Sequence, residues 1–131
     1  MEHMYRVNTF APMYIESKLF ELIDSNSTYV VNIISSMLVD YYPKFVTYAS
    51  TKAALAKFTQ DLKKSLKDTG ARVLDVSPSG FKSNIYKTMI GEKVIRDESK
   101  QMNTEDLASL IFYLVSLPKK MEASHIYIDR K

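Results

Sequence analysis

Apolar residues at helical spacing occur in three segments of this sequence. In residues 5–23 they recur every three or four positions, which predicts a helix with one apolar face. Residues 47–68 repeat this spacing, and Gly70 follows at a position that often caps the end of a helix. Thr104 can cap the start of a third helix, which continues to Pro118. The apolar face predicted for the first helix consists of Val7, Phe10, Ala11, Tyr14, Ile15, Leu19, Leu22 and Ile23.

Three short runs rich in β-branched residues follow these helices and predict strands. They are YVVNII at residues 29–34, RVLDV at 72–76 and HIYID at 125–129, each too brief for a helix. The segments 35–44 and 77–103 have no clean period and are expected to be irregular. Helices that alternate with strands favour right-handed crossovers onto a parallel sheet. The sequence therefore predicts an α/β fold with one domain over residues 1–131.

Composition limits the functions that this chain can have. At 131 residues and 46% hydrophobic, it is long enough for one domain with a core. The net charge of +3 does not favour nucleic-acid binding, and we interpret Lys63, Lys64 and Lys67 as a solvated helix face. The absence of cysteine excludes disulfides and a thiol nucleophile, and the distant His3 and His125 provide no metal site. No apolar run approaches the ~20 residues that cross a bilayer, so we expect a soluble, cytoplasmic protein without membrane partners.

Polar residues that can carry chemistry collect at one predicted edge of the sheet. Ser35 and Ser36 follow the first strand, and the SPSG of residues 77–80 follows the second. Parallel strands end at a common edge, and such sheets bind ligands there. Tyr48 and Lys52 occupy the first turns of the helix between these strands, so they lie near the same edge. Their four-residue spacing places both side chains on one helix face.

Two other tyrosine–lysine pairs in the chain have the same spacing. Tyr14 and Lys18 lie mid-helix, where Tyr14 contributes to the apolar face. Tyr127 and Lys131 lie at a terminal strand, where positions four apart are extended along the chain. Spacing alone favours an ordinary surface pair in each case. Only the pair in the second helix adjoins the predicted ligand edge, and this context favours a functional pair.

Taken together, these motifs resemble the short-chain dehydrogenase/reductase family. VNIISS is similar to the family's catalytic serine strand, YASTK to its tyrosine/lysine motif and VSPSGFKS to its cofactor loop. Asn8 resembles the active-site asparagine, with a plain polar residue in a helix as the alternative, and TEDLASLIFYLVSLP resembles a common C-terminal ending. The resemblance covers essentially all 131 residues. It implies a partial Rossmann-like, doubly wound parallel sheet of about three strands with three main helices.

The resemblance implies a site for proton transfer. The ammonium of Lys52 would favour the phenolate of Tyr48 and lower the tyrosine pKa, so that Tyr48 acts as a general acid or base. A serine hydroxyl would hold the substrate oxygen. Ser35 has the commonest family spacing to the tyrosine, whereas Ser36 is the second serine of the NxSS pattern and is slightly preferred. Asn8 would anchor a water in a proton relay to Lys52.

The cofactor implied by the resemblance is NAD or NADP. Hydride would pass between the nicotinamide and a carbonyl or alcohol substrate. Ser79 stands where the family usually has glycine, at a place where the backbone approaches the cofactor. Residues 83–103, which would shape the substrate pocket, carry no recognisable signature. Besides Tyr48 and Lys52, the expected cofactor-binding residues are Pro78, Ser79, Gly80, Phe81 and Ser83.

One part of the family pattern is absent from the sequence. The three glycines are Gly70, Gly80 and Gly91, and none lies in the glycine-rich turn that seats a pyrophosphate. We therefore expect the chain to be a catalytic half, inactive or very weak alone. One hypothesis is an NAD(P)-dependent oxidoreductase, and the alternative is a non-catalytic remnant that acts as an oligomerisation or interaction module. The expected partners are further copies of the chain or a complementing N-terminal half.

Overall fold

A three-stranded parallel sheet forms the centre of the described molecule. The structure, a computed structural model, describes residues 1–25, 27–40, 43–82 and 97–131. Within them, the strands are β1 (Tyr29–Ile33), β2 (Arg72–Pro78) and β3 (His125–Ile128), in the order β1-β2-β3. Both neighbouring pairs are parallel. The α/β fold and the positions of the three strands are as the sequence predicts.

Five α-helices lie in the described residues, and none is long and apolar enough to cross a membrane. The N-terminal helical region begins with α1, continues through a π-helical turn into α2, and breaks at Leu19 before α3. The predicted irregular segment after β1 contains short 3-10 turns at Ser36–Leu38 and Pro43–Phe45. The bounds are α1 Glu2–Tyr5, the π-helical turn Arg6–Phe10, α2 Ala11–Lys18, α3 Phe20–Asp24, α4 Val46–Ser65 and α5 Thr104–Val115.

Helices cover both faces of the sheet. Side chains of β2 point alternately to the two faces, and the strand is buried along nearly its whole length. On one face Val73 packs with Leu66, which follows α4. On the other, Leu74 and Val76 pack against Leu114 of α5. This two-sided covering is the doubly wound arrangement, and it explains why Val73, Leu74 and Val76 are apolar on both faces of β2.

The apolar face predicted for the N-terminal helix is turned mainly toward solvent. The buried residues of this region are Thr9, Glu16 and Ile23, which lie seven residues apart, and of these only Ile23 belongs to the predicted apolar face. The sequence predicts one apolar face but not which side of the helix faces the core, and Thr9 on the buried side donates to the Thr51 carbonyl oxygen of α4. Six apolar residues are 45–64% exposed: Val7, Phe10, Tyr14, Ile15, Leu19 and Leu22.

Two predicted helix caps are wrong. α4 ends at Ser65 with Leu66 as its C-cap, so Gly70 lies beyond the cap. A Cβ added at Gly70 would lie 2.9 Å from the Ser27 hydroxyl oxygen, so a larger residue there would require the Ser27 side chain to move. At the start of α5, the side chain of Asn103 accepts the backbone N–H of Glu105 and is the N-cap.

Candidate active site

Tyr48 and Lys52 lie in the first turns of α4, beside the carboxyl end of β1. Tyr48 is 9% exposed, and the Nζ atom of Lys52 lies 5.9 Å from the centre of its ring. Lys52 Nζ also donates a 2.7 Å hydrogen bond to the carbonyl oxygen of Ile33, the last residue of β1. Burial lowers the pKa of the Lys52 ammonium from its ordinary value. The cation is thus fixed between helix and sheet at the predicted ligand edge.

The pair Tyr14 and Lys18 has nearly the same local geometry in a different environment. Lys18 Nζ lies 5.5 Å from the centre of the Tyr14 ring, but Tyr14 is 64% exposed on α2. An exposed cation in water stabilises a neighbouring phenolate weakly because solvent screens the charge. Burial at the sheet edge, and not the spacing of the residues, distinguishes the pair on α4.

The two serines after β1 are both buried but have different partners. The hydroxyl oxygen of Ser35 accepts the backbone N–H of Met37 at 3.2 Å and caps the 3-10 turn Ser36–Leu38. The hydroxyl of Ser36 forms no hydrogen bond with the described part of the chain. Among the described residues, the Ser35 hydroxyl is therefore engaged in the loop and the Ser36 hydroxyl is not.

Asn8 lies in the π-helical turn Arg6–Phe10, whose backbone departs from the regular helix. Its side-chain Nδ2 donates to the hydroxyl oxygen of Thr51 at 3.2 Å. Thr51 in turn donates to the carbonyl oxygen of Tyr48 at 2.7 Å. Asn8 is thus tied to the turn that carries Tyr48 and Lys52, and π-turns recur at functional sites.

Thr51 is a site residue that the sequence analysis did not single out. It is fully buried, and its backbone carbonyl accepts the Thr9 hydroxyl at 3.0 Å. Together with the contact from Asn8, this bond fastens the N-terminal helical region to the first turns of α4. The available signal was its place inside YASTK, between the tyrosine and the lysine.

The loop after β2 is held against the end of β3. Pro78 is the buried last residue of β2, and the N–H of Ser79 donates to the Ile128 carbonyl oxygen at 2.8 Å. The Ser79 hydroxyl oxygen accepts the N–H of Arg130 at 2.8 Å. The serine that replaces the family's glycine therefore joins the ends of two strands. Of the other expected cofactor contacts, Gly80 and Phe81 are partly exposed, and Ser83 lies outside the described residues.

Gly80 and Phe81 are also tied to the segment before α5. The carbonyl oxygen of Gly80 accepts the N–H of Met102 at 3.2 Å, and the N–H of Lys82 donates to the Met102 carbonyl at 3.1 Å. Phe81 and Met102 form a parallel β-bridge. The loop expected to meet the nicotinamide is thus anchored on both sides, at β3 and at Met102.

Beneath α2 and α4, a row of polar side chains crosses the sheet. Asn32, Asp75 and His125 are register partners on adjacent strands. Burial raises the pKa of the Asp75 carboxyl, although His125, with Nδ1 3.5 Å from Asp75 Oδ2, opposes this change. Burial likewise raises the pKa of Glu16 on α2, and the side chain of Asn32 opposes this change. No group of three or more potential metal-ligating side chains occurs among the described residues.

A family model described as short chain dehydrogenase matches residues 1–93. The chain belongs to this family. An uncharacterized oxidoreductase of Staphylococcus aureus is 26% identical over 128 residues, which are 97% of this chain and 53% of the relative. The chain thus spans about half the length of the curated relatives it matches.

Solved structures at lower identity share the fold of this chain. An alcohol dehydrogenase from the archaeon Thermococcus sibiricus, complexed with 5-hydroxy-NADP, matches 98% of this chain and 52% of that one, with a TM-score of 0.82 and 16% identity. A betaketoacyl-[ACP] reductase from Bacteroides thetaiotaomicron matches 97% of this chain and 51% of that one, with a TM-score of 0.74 and 22% identity. The described sheet is therefore Rossmann-like, as the sequence predicts.

Proposed function

We propose that this chain carries the proton-transfer half of an NAD(P)-dependent oxidoreductase site. The observation that carries the proposal is the buried Tyr48 ring with the Lys52 ammonium 5.9 Å from its centre, at the carboxyl edge of a parallel sheet. Tyr48 would exchange a proton with the oxygen of a carbonyl or alcohol substrate. Lys52 would stabilise the phenolate form, because a cation interacts more strongly with an anion in a partly desolvated setting.

Ser36 is our choice for the hydroxyl that holds the substrate oxygen. Ser35 already accepts the Met37 N–H and caps a turn, so moving its side chain would disturb the loop. Ser36 follows directly and forms no such bond within the described residues. Asn8 would help to position Tyr48, because Thr51 connects the Asn8 side chain to the backbone of Tyr48.

The residues present fit the nicotinamide half of NAD or NADP better than the adenosine half. Lys52 uses one N–H for the Ile33 carbonyl, so its ammonium keeps donors for a ribose hydroxyl. Pro78, Ser79, Gly80 and Phe81 form an anchored loop at the same edge. When bound, the nicotinamide supplies or accepts a hydride. The sequence contains no glycine-rich turn for the pyrophosphate, so a complementing N-terminal half would supply that part of the site.

Cofactor oxidation in the presence of carbonyl compounds tests this proposal directly. The chain at high concentration is mixed with NADH or NADPH and a panel of aliphatic and aromatic ketones. We expect weak turnover that Tyr48→Phe abolishes and Tyr14→Phe leaves unchanged, because Tyr48 is buried beside Lys52 at the sheet edge whereas Tyr14 is exposed. Turnover that survives Tyr48→Phe would contradict the proposal.

A second candidate is a non-catalytic interaction module, which two observations favour. Six apolar residues of the N-terminal helical region are about half exposed or more. β1 pairs with β2 on one side, and no other described strand pairs with its second edge. An apolar helix face and an open strand edge are surfaces that bind other chains. Complete absence of turnover, together with stable self-association, would favour this candidate over the first.

A further inference from the structure

A cationic groove lies at the end of the sheet opposite the candidate active site. The groove has a volume of about 670 Å³ and is formed by the end of α4, the start of β2 and the loop between α5 and β3. Glu122 is the one carboxylate in its lining. Six cationic side chains line it: Lys63, Lys64, Lys67, Arg72, Lys119 and Lys120.

The groove is separate from the site around Tyr48. Arg72 and Val73 begin β2, whereas Pro78 ends it beside the candidate cofactor loop. At a rise of about 3.3 Å per residue, the strand separates its two ends by about 20 Å. A ligand in the groove therefore cannot share contacts with the proton-transfer residues.

Arg72 holds one side of the groove in place through hydrogen bonds to the loop between α5 and β3. Its guanidinium donates to the carbonyl oxygens of Leu117 at 3.0 Å and Met121 at 3.4 Å, on either side of Lys119 and Lys120. The N–H of Met121 donates to the Pro118 carbonyl at 2.8 Å and closes a turn around the same two lysines. The turn is therefore fixed against the start of β2, and Lys119 and Lys120 are presented at its tip.

The groove's single carboxylate is occupied by internal contacts. Glu122 Oε1 accepts the backbone N–H of Val73 at 3.1 Å and pairs with Lys63 Nζ at 3.0 Å. Glu122 therefore provides an acceptor for the Val73 N–H at the start of β2, because the pairing of β2 with β3 begins only at Asp75. Glu122 and Lys63 thus compensate each other, and the charge that remains at the surface is positive.

The other lysines of the groove have weak partners or none among the described residues. Lys64 is 3.5 Å from Asp61 and Lys67 is 3.9 Å from Asp68, with all four side chains exposed. Exposed pairs of this kind contribute little free energy, so a bound anion can replace them. Lys119 and Lys120 form no ion pair within the part of the chain that the structure describes.

We propose that this groove binds a small soluble anion that carries more than one phosphate group. Lysines at the end of α4 and at the turn tip come from separate segments, so one ligand that contacts both must carry charge at both ends. Lysine binds phosphate as a point charge, without the bidentate geometry that arginine uses. Met121, which is 54% exposed, also lines the groove and offers apolar surface to an organic part of the ligand. The proposal does not depend on whether the chain is catalytic.

Titration with tripolyphosphate at physiological ionic strength tests the proposal by calorimetry. We expect saturable binding, weakened about tenfold or more by Lys119→Ser with Lys120→Ser. The control, Lys18→Gln with Lys100→Gln, removes the same net charge from exposed lysines outside the groove and should change affinity less than about twofold. Orthophosphate should bind more weakly than tripolyphosphate. No saturable binding, or equal weakening by the control variant, would overturn the proposal.

Amide chemical shifts locate the bound anion without any assay of activity. Tripolyphosphate should shift the amide resonances of residues 69–73 and 119–122. Shifts confined to residues 77–81 would place the anion at the cofactor edge and would contradict the proposal that the groove binds it. If circular dichroism shows that the variant with Lys119→Ser and Lys120→Ser does not fold, Lys64→Gln with Lys67→Gln provides the same test. These two exposed lysines lie at and just after the end of α4.

Discussion

The Nζ atom of Lys52 lies 5.9 Å from the centre of the Tyr48 ring, one turn along the same face of α4. The same ammonium donates to the carbonyl oxygen of Ile33 at the end of β1. This bond fixes the cation against the sheet, so its distance from the tyrosine is set by two elements at once. Lys18 has no comparable tie to the sheet among its described contacts, although it lies 5.5 Å from the Tyr14 ring.

Replacing Tyr48 with Phe should therefore impair catalysis and leave the fold intact. In an enzyme completed by an N-terminal half, turnover should fall by about 10² to 10⁴-fold, the usual contribution of a general acid or base. Tyr14→Phe is the matched control and should have little effect, because Tyr14 is exposed on α2. Steady-state kinetics with circular dichroism measure both properties. Equal losses for the two variants would contradict the distinction between these pairs.

The two serines after β1 should respond differently to substitution by alanine. Ser35→Ala removes the acceptor for the Met37 N–H and should lower the free energy of unfolding by about 1 kcal/mol. Ser36→Ala should change stability less, because its hydroxyl has no partner among the described residues, but should reduce turnover in a completed enzyme. Urea denaturation measures the first effect on this chain alone. A larger stability loss for Ser36→Ala would reverse the assignment.

This chain alone should bind dinucleotides weakly. The residues at the sheet edge can contact the nicotinamide half, whereas the sequence has no glycine-rich turn to hold the pyrophosphate. Fluorescence titration with NADH and NADPH measures the affinity. Saturable micromolar binding of either cofactor would show that the site is more complete than we expect, or that an oligomer rebuilds it.

The exposed apolar stripe of the N-terminal helical region should mediate self-association. Tyr14→Lys with Ile15→Lys should weaken the association at least about tenfold, because charges would enter the apolar centre of the contact. Phe112→Lys with Tyr113→Lys is the matched control, since these residues are similarly exposed on α5. Light scattering at micromolar concentration measures both. A wild-type chain that is cleanly monomeric would contradict the prediction.

Glu16 should make the stability of the chain depend on pH. Burial raises its pKa and the Asp75 charge acts in the same direction, so the folded state binds this proton more tightly than the unfolded state. The stability contributed by this group is then present below the unfolded pKa and lost as the pH rises through the higher folded pKa. Glu16→Gln cannot ionise, so its stability relative to the natural chain should increase across that window.

Urea denaturation between about pH 4 and about pH 7 measures this difference, a range that begins near the ordinary glutamate pKa. Glu21→Gln on α3 is the control, because Glu21 is an exposed glutamate of the same helical region. Asn32 and Asp75 face Glu16 in the folded chain, so Asp75→Asn should reduce the effect. If the difference in the free energy of unfolding between Glu16→Gln and the natural chain did not change with pH, the raised pKa of Glu16 would be contradicted.

The residue order determined the strands, the parallel α/β fold and the position of Tyr48 and Lys52 at the start of a helix. Each of these depends on local properties: the β-branched runs, the alternation of elements, and the common edge at which parallel strands end. Ser35 and Ser36 could be placed at that edge because they directly follow a strand. Their separate hydrogen-bonding roles could not, because these depend on the turn after β1.

Only the tertiary structure decided which helix faces are covered. Periodicity identifies an apolar stripe but does not say whether the sheet or another molecule covers it. Glu16, a charged residue outside that stripe, is the one that is buried near Asn32. A Cβ at Gly70 would press on the hydroxyl of Ser27, which lies far away in sequence. The lysines at the end of α4 looked like a solvated face until the chain brought Arg72 and the turn at Lys119 and Lys120 beside them. Each of these features depends on contacts between distant segments, which spacing along the chain does not encode.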